Sequence, residues 1–423
     1  MGPQVMVEAR NLHGRTRGDR RRYRTESDGP APSGKDRSLP TTAQASGIRV
    51  VGDSQALKLH VLDSIDEAQT IWRSFERRAV ASPFQTYAWL SNWYANVGHP
   101  TGVSPVIVFG YDQSERLVLL MPLGLAQAKG PRTLAWLGDG LAGYNAPLVD
   151  PALLQSFSPQ AVDAIWQRII DHVGSVDILR LRRQPRMLGQ FHNPFVHGAR
   201  VSGAGGGRLL VLPSTWAEFA AEHIGEGRRT GADCGRYLRQ RGRLTIGLSL
   251  PTQPRSRVVE KILAVARSQS GKQSRYNPLQ QAGVGTFFKA LALSESTGFL
   301  NVSAVNVDDE MIAGSIGYVH GNCYYLAVTS IEASDDGAAA ERLLCEELIR
   351  SCIVQGIKSI DFLGATPAVP QWTGRPAPLY EAISGCSLKG QAVVGLKWAG
   401  RALGLSTSEH DAFGGGVRQT FKA

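Results

Sequence analysis

The chain has 423 residues, 43% of them hydrophobic and 19% charged, with eight Trp and a formal net charge of +10 at pH 7. That composition suits a globular protein of two ordinary domains, on a prior of about 150 residues each. It also points to an anionic partner such as a nucleotide-like cofactor, a nucleic acid or a membrane surface, because net charge steers association without setting the fold.

Residues 1–47 are basic and rich in Pro, Ser, Gly and Thr. They include Arg10, Arg15, Arg17, Arg20, Arg21, Arg22, Arg24, Lys35 and Arg37 and have almost no apolar residues. Such a segment cannot bury enough surface to offset its ordering entropy, so it reads as a disordered tail. It has no apolar stretch of the secretory kind. A nucleic-acid-binding arm, translated non-coding sequence and a functionless tail are three readings of it. No apolar run reaches the ~20 residues that cross a bilayer, and Leu117–Leu125 contains Pro122. Cys234, Cys323, Cys345, Cys352 and Cys386 are odd in number and lack CxxC spacing, which argues against a metal box or a disulfide framework. Cys345 and Cys352 fall on one face of an expected helix, as buried structural thiols. These features read as a cytoplasmic protein.

From Leu57 the pattern is globular. Leu57–Leu62 alternates as a strand, and Ser64 caps a helix to Arg78 with Ile71, Trp72 and Phe75 on its apolar face. A helix over Tyr87–Ala95 precedes a hairpin of Pro105–Gly110 and Arg116–Pro122. Leu134–Gly138 is a strand, Gln155–Val173 a helix and Val176–Leu181 a strand. The spacing of Trp89, Trp93, Trp136 and Trp166 is that of core residues. After Gly207 come a strand at Arg208–Leu212, a helix at Trp216–His223, a basic segment and another helix. A meander of Leu300–Val307, Met311–Val319 and Cys323–Thr329 follows. A helix from Ala338 then leads to the strand Ser359–Leu363. The second half echoes the first, so the chain reads as two fused copies of one α/β fold. The divisions are 1–47 (tail), 48–205, 206–400 and 401–423 (tail).

Two segments suit anionic ligands. A turn at Gly337 into a helix at Ala338 offers free N–H groups and a positive dipole end, which suit a phosphate; Asp335-Asp336-Gly337 as a plain cap is the alternative. In Arg228–Leu244, helical spacing puts Arg228, Arg236, Arg239 and Arg243 on one side, with Gly231, Gly235 and Gly242 interrupting. This side could grip phosphates, an anionic glycan or a nucleic acid, or be a solvated face.

The run Ile312–Val328, the following helix and Gly356–Gly364 resemble the C-terminal half of GNAT-type acyltransferases, and more narrowly the CelD/BcsL (BioF2-like) branch related to FemAB peptidyltransferases. Phe84–Tyr94 and Leu120–Leu123 are similar to that branch's N-terminal elements, so the likeness spans roughly Leu57–Ile383. It implies α/β mixed sheets in a tandem duplicated GNAT-like fold, with acyl-CoA (acetyl-CoA) as co-substrate. It puts the pyrophosphate on Gly337, Ala338, Ala339 and Ala340 and the thioester beside Ala327, Val328 and Thr329. The family's turn and its Tyr-Lys pair are replaced here by Asp335-Asp336-Gly337 and Ala365–Gln371, while the Trp is kept as Trp372. Amine attack on a thioester needs a proton acceptor and a donor for the thiolate. The candidates are His320, Tyr324, Tyr325, Asp361 and Tyr380, each weighed against a structural role: His320 as a loop residue, Asp361 as a strand-end hydrogen-bonding residue. Arg236, Arg239, Arg243 and Trp372 are the expected acceptor-binding residues, and no metal is expected.

The function expected is acyl transfer to an amine or hydroxyl of a small-molecule or glycan acceptor: a sugar, a polysaccharide precursor or an amino compound. The alternatives are a non-catalytic basic module binding nucleic acid or an anionic polymer, and a FemAB-like aminoacyl-tRNA-dependent transferase.

Overall fold

The computed structural model describes residues 57–126, 130–201, 206–224, 229–269, 277–294, 299–363, 372 and 377–402. The expected tail 1–47, residues 403–423 of the expected tail 401–423, Arg228 and the segment 364–371 lie outside them, whereas Arg401 and Ala402 end a helix. The first half runs β1 (Lys58–Leu62), α1 (Ile65–Glu76), α2 (Tyr87–Trp93), the hairpin β2 (Val103–Tyr111) and β3 (Leu117–Ala126), then β4 (Thr133–Trp136), β5 (Leu148–Val149), α3 (Pro151–Leu154), α4 (Pro159–Val173) and β6 (Ile178–Pro185). Short strands β7 (Met187–Leu188), β8 (Phe191–His192), β9 (Arg200–Val201) and β10 (Leu209–Val211) follow. The second half continues with α5 (Trp216–His223), α6 (Gly231–Arg239), β11 (Leu244–Gly247), α7 (Thr252–Gln269) and α8 (Val284–Leu293). It ends with β12 (Leu300–Val307), β13 (Glu310–His320), β14 (Cys323–Ile331), α9 (Asp335–Val354), β15 (Ser359–Asp361), β16 (Leu379–Gly385) and α10 (Leu388–Ala402).

Local chemistry explains the boundaries. Ser64 and Ser158 cap α1 and α4 by accepting from Glu67 and Ala161 N–H. Pro159 opens α4 where its missing N–H costs nothing. Val162, Ile165, Trp166 and Ile169 make one buried stripe on α4. Ile71 does not join the apolar face of α1 as expected: it is 39% exposed, because Ala68, Trp72 and Phe75 already fill that face. Trp89, Trp93, Trp136 and Trp166 are all buried.

Both halves repeat one plan: mixed α/β, with an antiparallel meander whose last strand pairs in parallel with the next strand across a helix. In the first sheet β4 pairs in parallel with β6 across α4; in the second, β14 pairs in parallel with β15 across α9. The orders are β1-β2-β3-β4-β6-β16-β9 and β10-β15-β14-β13-β12-β11. The second half therefore lends one strand to the first sheet. β10, which precedes the body of the second half, pairs antiparallel with β15, and β16, which follows β15, crosses back to pair antiparallel with β6. β16 thus lies within the expected division 206–400 yet belongs to the first sheet. With β10 on the outer edge of β15, β16 finds its partner on β6, where Ile383 lies opposite Arg180.

The described residues belong to one unit, and one core joins its halves. Trp72, Phe84, Trp89 and Leu120 of the first half pack with Ile262, Phe287, Val302, Ile316 and Val328 of the second. A second core lies under α4 and a third under α9 and α6. Among the described residues no helix is long and apolar enough to cross a membrane.

Leu379 opens β16 and is 1% exposed. Leu379→Ala should cost about 2–5 kcal/mol, the usual range for a buried leucine. Hydrogen exchange should then show β6 amides losing protection even though the substitution lies beyond β15 in sequence. Loss of protection confined to the second sheet would contradict this pairing.

Candidate functional site

The parallel pairing of β14 with β15 lasts three residues, Cys323–Tyr325 against Ser359–Asp361. β15 ends there, while β14 runs on to Ile331. Beyond Tyr325, the edge of β14 that faced β15 has no strand partner among the described residues. The ladder between β13 and β14 also slips here: Gly317 pairs with Leu326 but Ile316 with Val328, leaving Ala327 as the extra residue. Such a bulge bends a strand and re-aims its side chains. Val328 accordingly joins the core shared between halves, whereas Leu326 lies in the core under α9. Thr329 lines a small, mostly apolar pocket under α9 with Ser315, Leu344 and Leu348. Of the strand residues expected to flank a thioester, Ala327 is half-buried and Val328 is buried; their backbone is the part that the open edge presents.

The open edge leads to the start of α9. This helix opens at Asp335, one turn before the expected Ala338, with Ser334 as N-cap. Gly337 therefore lies within the first turn, its N–H donating to Ser334 Oγ at 3.0 Å, and Ala338 N–H donates to Ser334 O. Glycine is needed there because a Cβ would collide with the Glu332 carbonyl. Ala339 and Ala340 are core residues, 2% and 0% exposed; only Ala338 of the alanine run faces out. The carboxylates Asp335 and Asp336 oppose an anion at this end. Arg241 offsets one of them, its Nε lying 3.5 Å from Asp336 Oδ1. Arg241 also donates to Tyr237 Oη at 2.8 Å, and Arg229 stacks over the same ring at 4.5 Å. Arg241 was not among the expected arginines because it follows the end of α6, off the helical stripe.

At the level where β14 and β15 part, Asp361 is 6% exposed. Its Oδ2 accepts from Tyr144 Oη at 2.5 Å and its Oδ1 from Leu363 N–H at 3.0 Å. Burial raises its carboxyl above the usual range, and these two donors oppose the rise. Tyr325 is its register partner, and burial pushes the Tyr325 phenol well above its ordinary value. Tyr144 comes from the loop after β4, 217 residues away in sequence. It lies in no periodic element, so nothing local marks it. Phe84 packs edge-on against Tyr144, Tyr318 and Tyr325 and so ties the halves together at this point. Tyr324 is fully buried on the opposite face.

The other expected residues lie apart from this pair. His320 ends β13 opposite Cys323, near the Ala81 backbone, and burial lowers its pKa. Tyr380 lies in the first sheet between Gln184 and Val201. Trp372 is 4% exposed, under the Arg342 guanidinium and beside Phe219, so it is a core residue and not a groove residue. Arg236 pairs with Asp233 of its own helix. Arg243 pairs with Asp309 at 2.8 Å, at the turn between β12 and β13. Arg239 is exposed on α6. Among the described residues no group of His, Cys, Asp and Glu could hold a metal ion.

Residues 226–368 match the family model described as an acetyltransferase (GNAT) domain, a stretch that contains the whole β14–α9–β15 unit. Among solved structures, FemX is similar over 80% of this chain and 99% of its own, at 8% identity and a TM-score of 0.53. L-PGS from Bacillus licheniformis is similar over 80% of this chain and 97% of its own, at 10% identity and a TM-score of 0.44. A tandem GNAT protein from the clavulanic acid biosynthesis pathway is similar over 78% and 99%, at 10% identity and a TM-score of 0.43. At such identity the likeness to FemX bears on fold alone. No curated protein matches the sequence. The family match puts a GNAT-type acyltransferase domain in the second half of this chain.

The raised Asp361 carboxyl has a stability consequence. A raised folded value means that the carboxyl's favourable contribution is complete below its unfolded value of about 4 and is lost as pH rises through the folded value. An amide does not ionise, so Asp361→Asn should gain melting temperature relative to the wild type as pH rises from about 4 to 7. A difference that is constant over that range, or one that moves the other way, would show that the carboxylate is not strained by burial.

Proposed function

We propose that the protein is an acyl-CoA-dependent acyltransferase that moves an acetyl or longer acyl group to an amine or hydroxyl of a sugar, a polysaccharide precursor or an amino compound. The observation that carries this reading is the parting of β14 from β15 after Tyr325 and Asp361, with a bulge at Ala327 and a helix start four residues beyond the strand. An open strand edge offers N–H and C=O groups for the amides of a pantetheine arm and for an acyl carbonyl. The first turn of α9, with the small exposed Ala338 and the neighbouring Arg241, suits the phosphates. The first half lacks this arrangement: after β4 the chain passes through β5 and α3 before α4 begins.

The chain's own groups then divide the proton work. Asp361 accepts the proton that the acceptor loses as its nitrogen or oxygen bonds to the acyl carbon. Burial makes the carboxylate a stronger base than an exposed one. Tyr325 keeps its proton because burial raises its phenol, and its hydroxyl donates a hydrogen bond to the sulfur as the C–S bond breaks, the leaving thiolate taking its proton from solvent. The likeness of Phe84–Tyr94, Leu120–Leu123 and the β13–β15 region to the CelD/BcsL branch favours an acceptor in polysaccharide biosynthesis. The ion pairing of Arg236 and Arg243 with their own aspartates counts against a nucleic-acid-binding module.

Titration calorimetry with acetyl-CoA is the test. The wild type should bind, and Ala338→Glu should weaken binding about tenfold or more, about 1.4 kcal/mol, through one lost charge-assisted contact and added repulsion. The exposed position should leave folding intact. No binding by the wild type, or unchanged affinity in Ala338→Glu, would overturn the site.

A further inference from the structure

We infer that Tyr144 is a positioning residue of the transfer site, supplied by the first half of the chain to hold the Asp361 carboxylate where β14 and β15 part. The inference rests on the acyltransferase reading and adds to it a residue outside the matched segment 226–368.

The contact is built from several directions. The backbone of Tyr144 is fixed by Gln85, whose Nε2 donates to Tyr144 O at 2.7 Å. The Gln85 carbonyl in turn accepts from the buried Trp72 Nε1 at 3.0 Å. Asn145 N–H donates to Arg183 O, and its side-chain amide donates to Arg182 O, both at 3.0 Å. The Arg183 guanidinium donates back to Gly143 O. The ring of Tyr144 packs on Phe84.

Glycine at position 207 leaves room for this contact, since a Cβ there would press on both Tyr144 Oη and Asp361 Oδ1. The chain between the two sheets is thus cut back to let this one hydroxyl reach this one carboxylate. A tyrosine serving only as a staple between halves would have no need to face an ionisable group. The titratable groups facing Asp361 are Tyr144 from the first half and Tyr325 and Cys323 from β14. On the β10 side Leu209 lies opposite Asp361, and the Arg208 carbonyl accepts from Phe362 N–H.

Tyr144 donates to one carboxylate oxygen and Leu363 N–H to the other. The carboxylate therefore cannot rotate freely, and its anion is stabilised against burial. Removing the hydroxyl should free the group and make it harder to ionise.

The test uses full-length protein labelled with 13C-carboxyl aspartate, with Asp361→Asn assigning the resonance. Release of CoA from acetyl-CoA, with hydroxylamine as the probe amine, is followed over pH in parallel. In Tyr144→Phe the Asp361 midpoint should rise by about one pH unit, the size expected for one charge-assisted hydrogen bond. The acidic limb of kcat/KM should move by the same amount. Gly207→Ala, which keeps both groups and pushes them apart, should shift both midpoints in the same direction. A Tyr144→Phe midpoint equal to that of the wild type overturns the coupling. A shifted Asp361 midpoint with an unmoved kcat/KM limb overturns the role in transfer. No CoA release by the wild type at any pH defeats the acyltransferase reading itself, and the inference with it.

Discussion

Three residues of parallel pairing govern the functional half of this molecule. Cys323–Tyr325 lie beside Ser359–Asp361, and there the two strands part. A parallel ladder that continued would consume every N–H and C=O on that side of β14, leaving nothing for a ligand. The bulge at Ala327 bends β14 at that point, and the chain then enters α9 within four residues. The open edge, the helix start and the Asp361 carboxylate follow from this one divergence. The α9 core of Ala339, Ala340, Leu343, Leu344 and Leu348 fixes the helix against the sheet, so the geometry is set by packing and not by a mobile loop.

The second constraint is the interleaving of the halves. β10 completes the second sheet and β16 completes the first. A single apolar core runs from Trp72 to Val328. The halves cannot move as separate bodies without breaking the pairs that β16 makes with β6 and β9. That rigidity allows a residue such as Tyr144 to be held against Asp361 across the interface. Phe84, whose ring meets Tyr144, Tyr318 and Tyr325, shows the same logic in apolar form.

Much of this was legible in the residues. The period-2 runs of the meander gave β12, β13 and β14 nearly to the residue, and Ser64 marked the start of α1. Asp361 and Tyr325 were two of five candidates for proton transfer, and the structure makes them register partners. What stayed hidden is non-local. The sheet that β16 joins cannot be read from periodicity, because Leu379–Gly385 alternates equally well beside either sheet. Trp372 carried a family-like position but fills a core under Arg342. Gly337 was expected to make a turn, yet its glycine answers a backbone collision inside a helix. Arg241 and Tyr144 owe their places to tertiary contacts with Asp336 and Asp361 that no local pattern records.

The central claim is that the open edge of β14 and the first turn of α9 form one ligand surface. Hydrogen–deuterium exchange of the full chain with and without saturating acetyl-CoA tests it most directly. The account predicts ligand-dependent protection concentrated at Leu326–Ile331 and at Asp335–Asp336, with the corresponding strand β4 of the first sheet unchanged. Protection at β4 instead, or none at either β14 or the start of α9 while acetyl-CoA is bound, would contradict it.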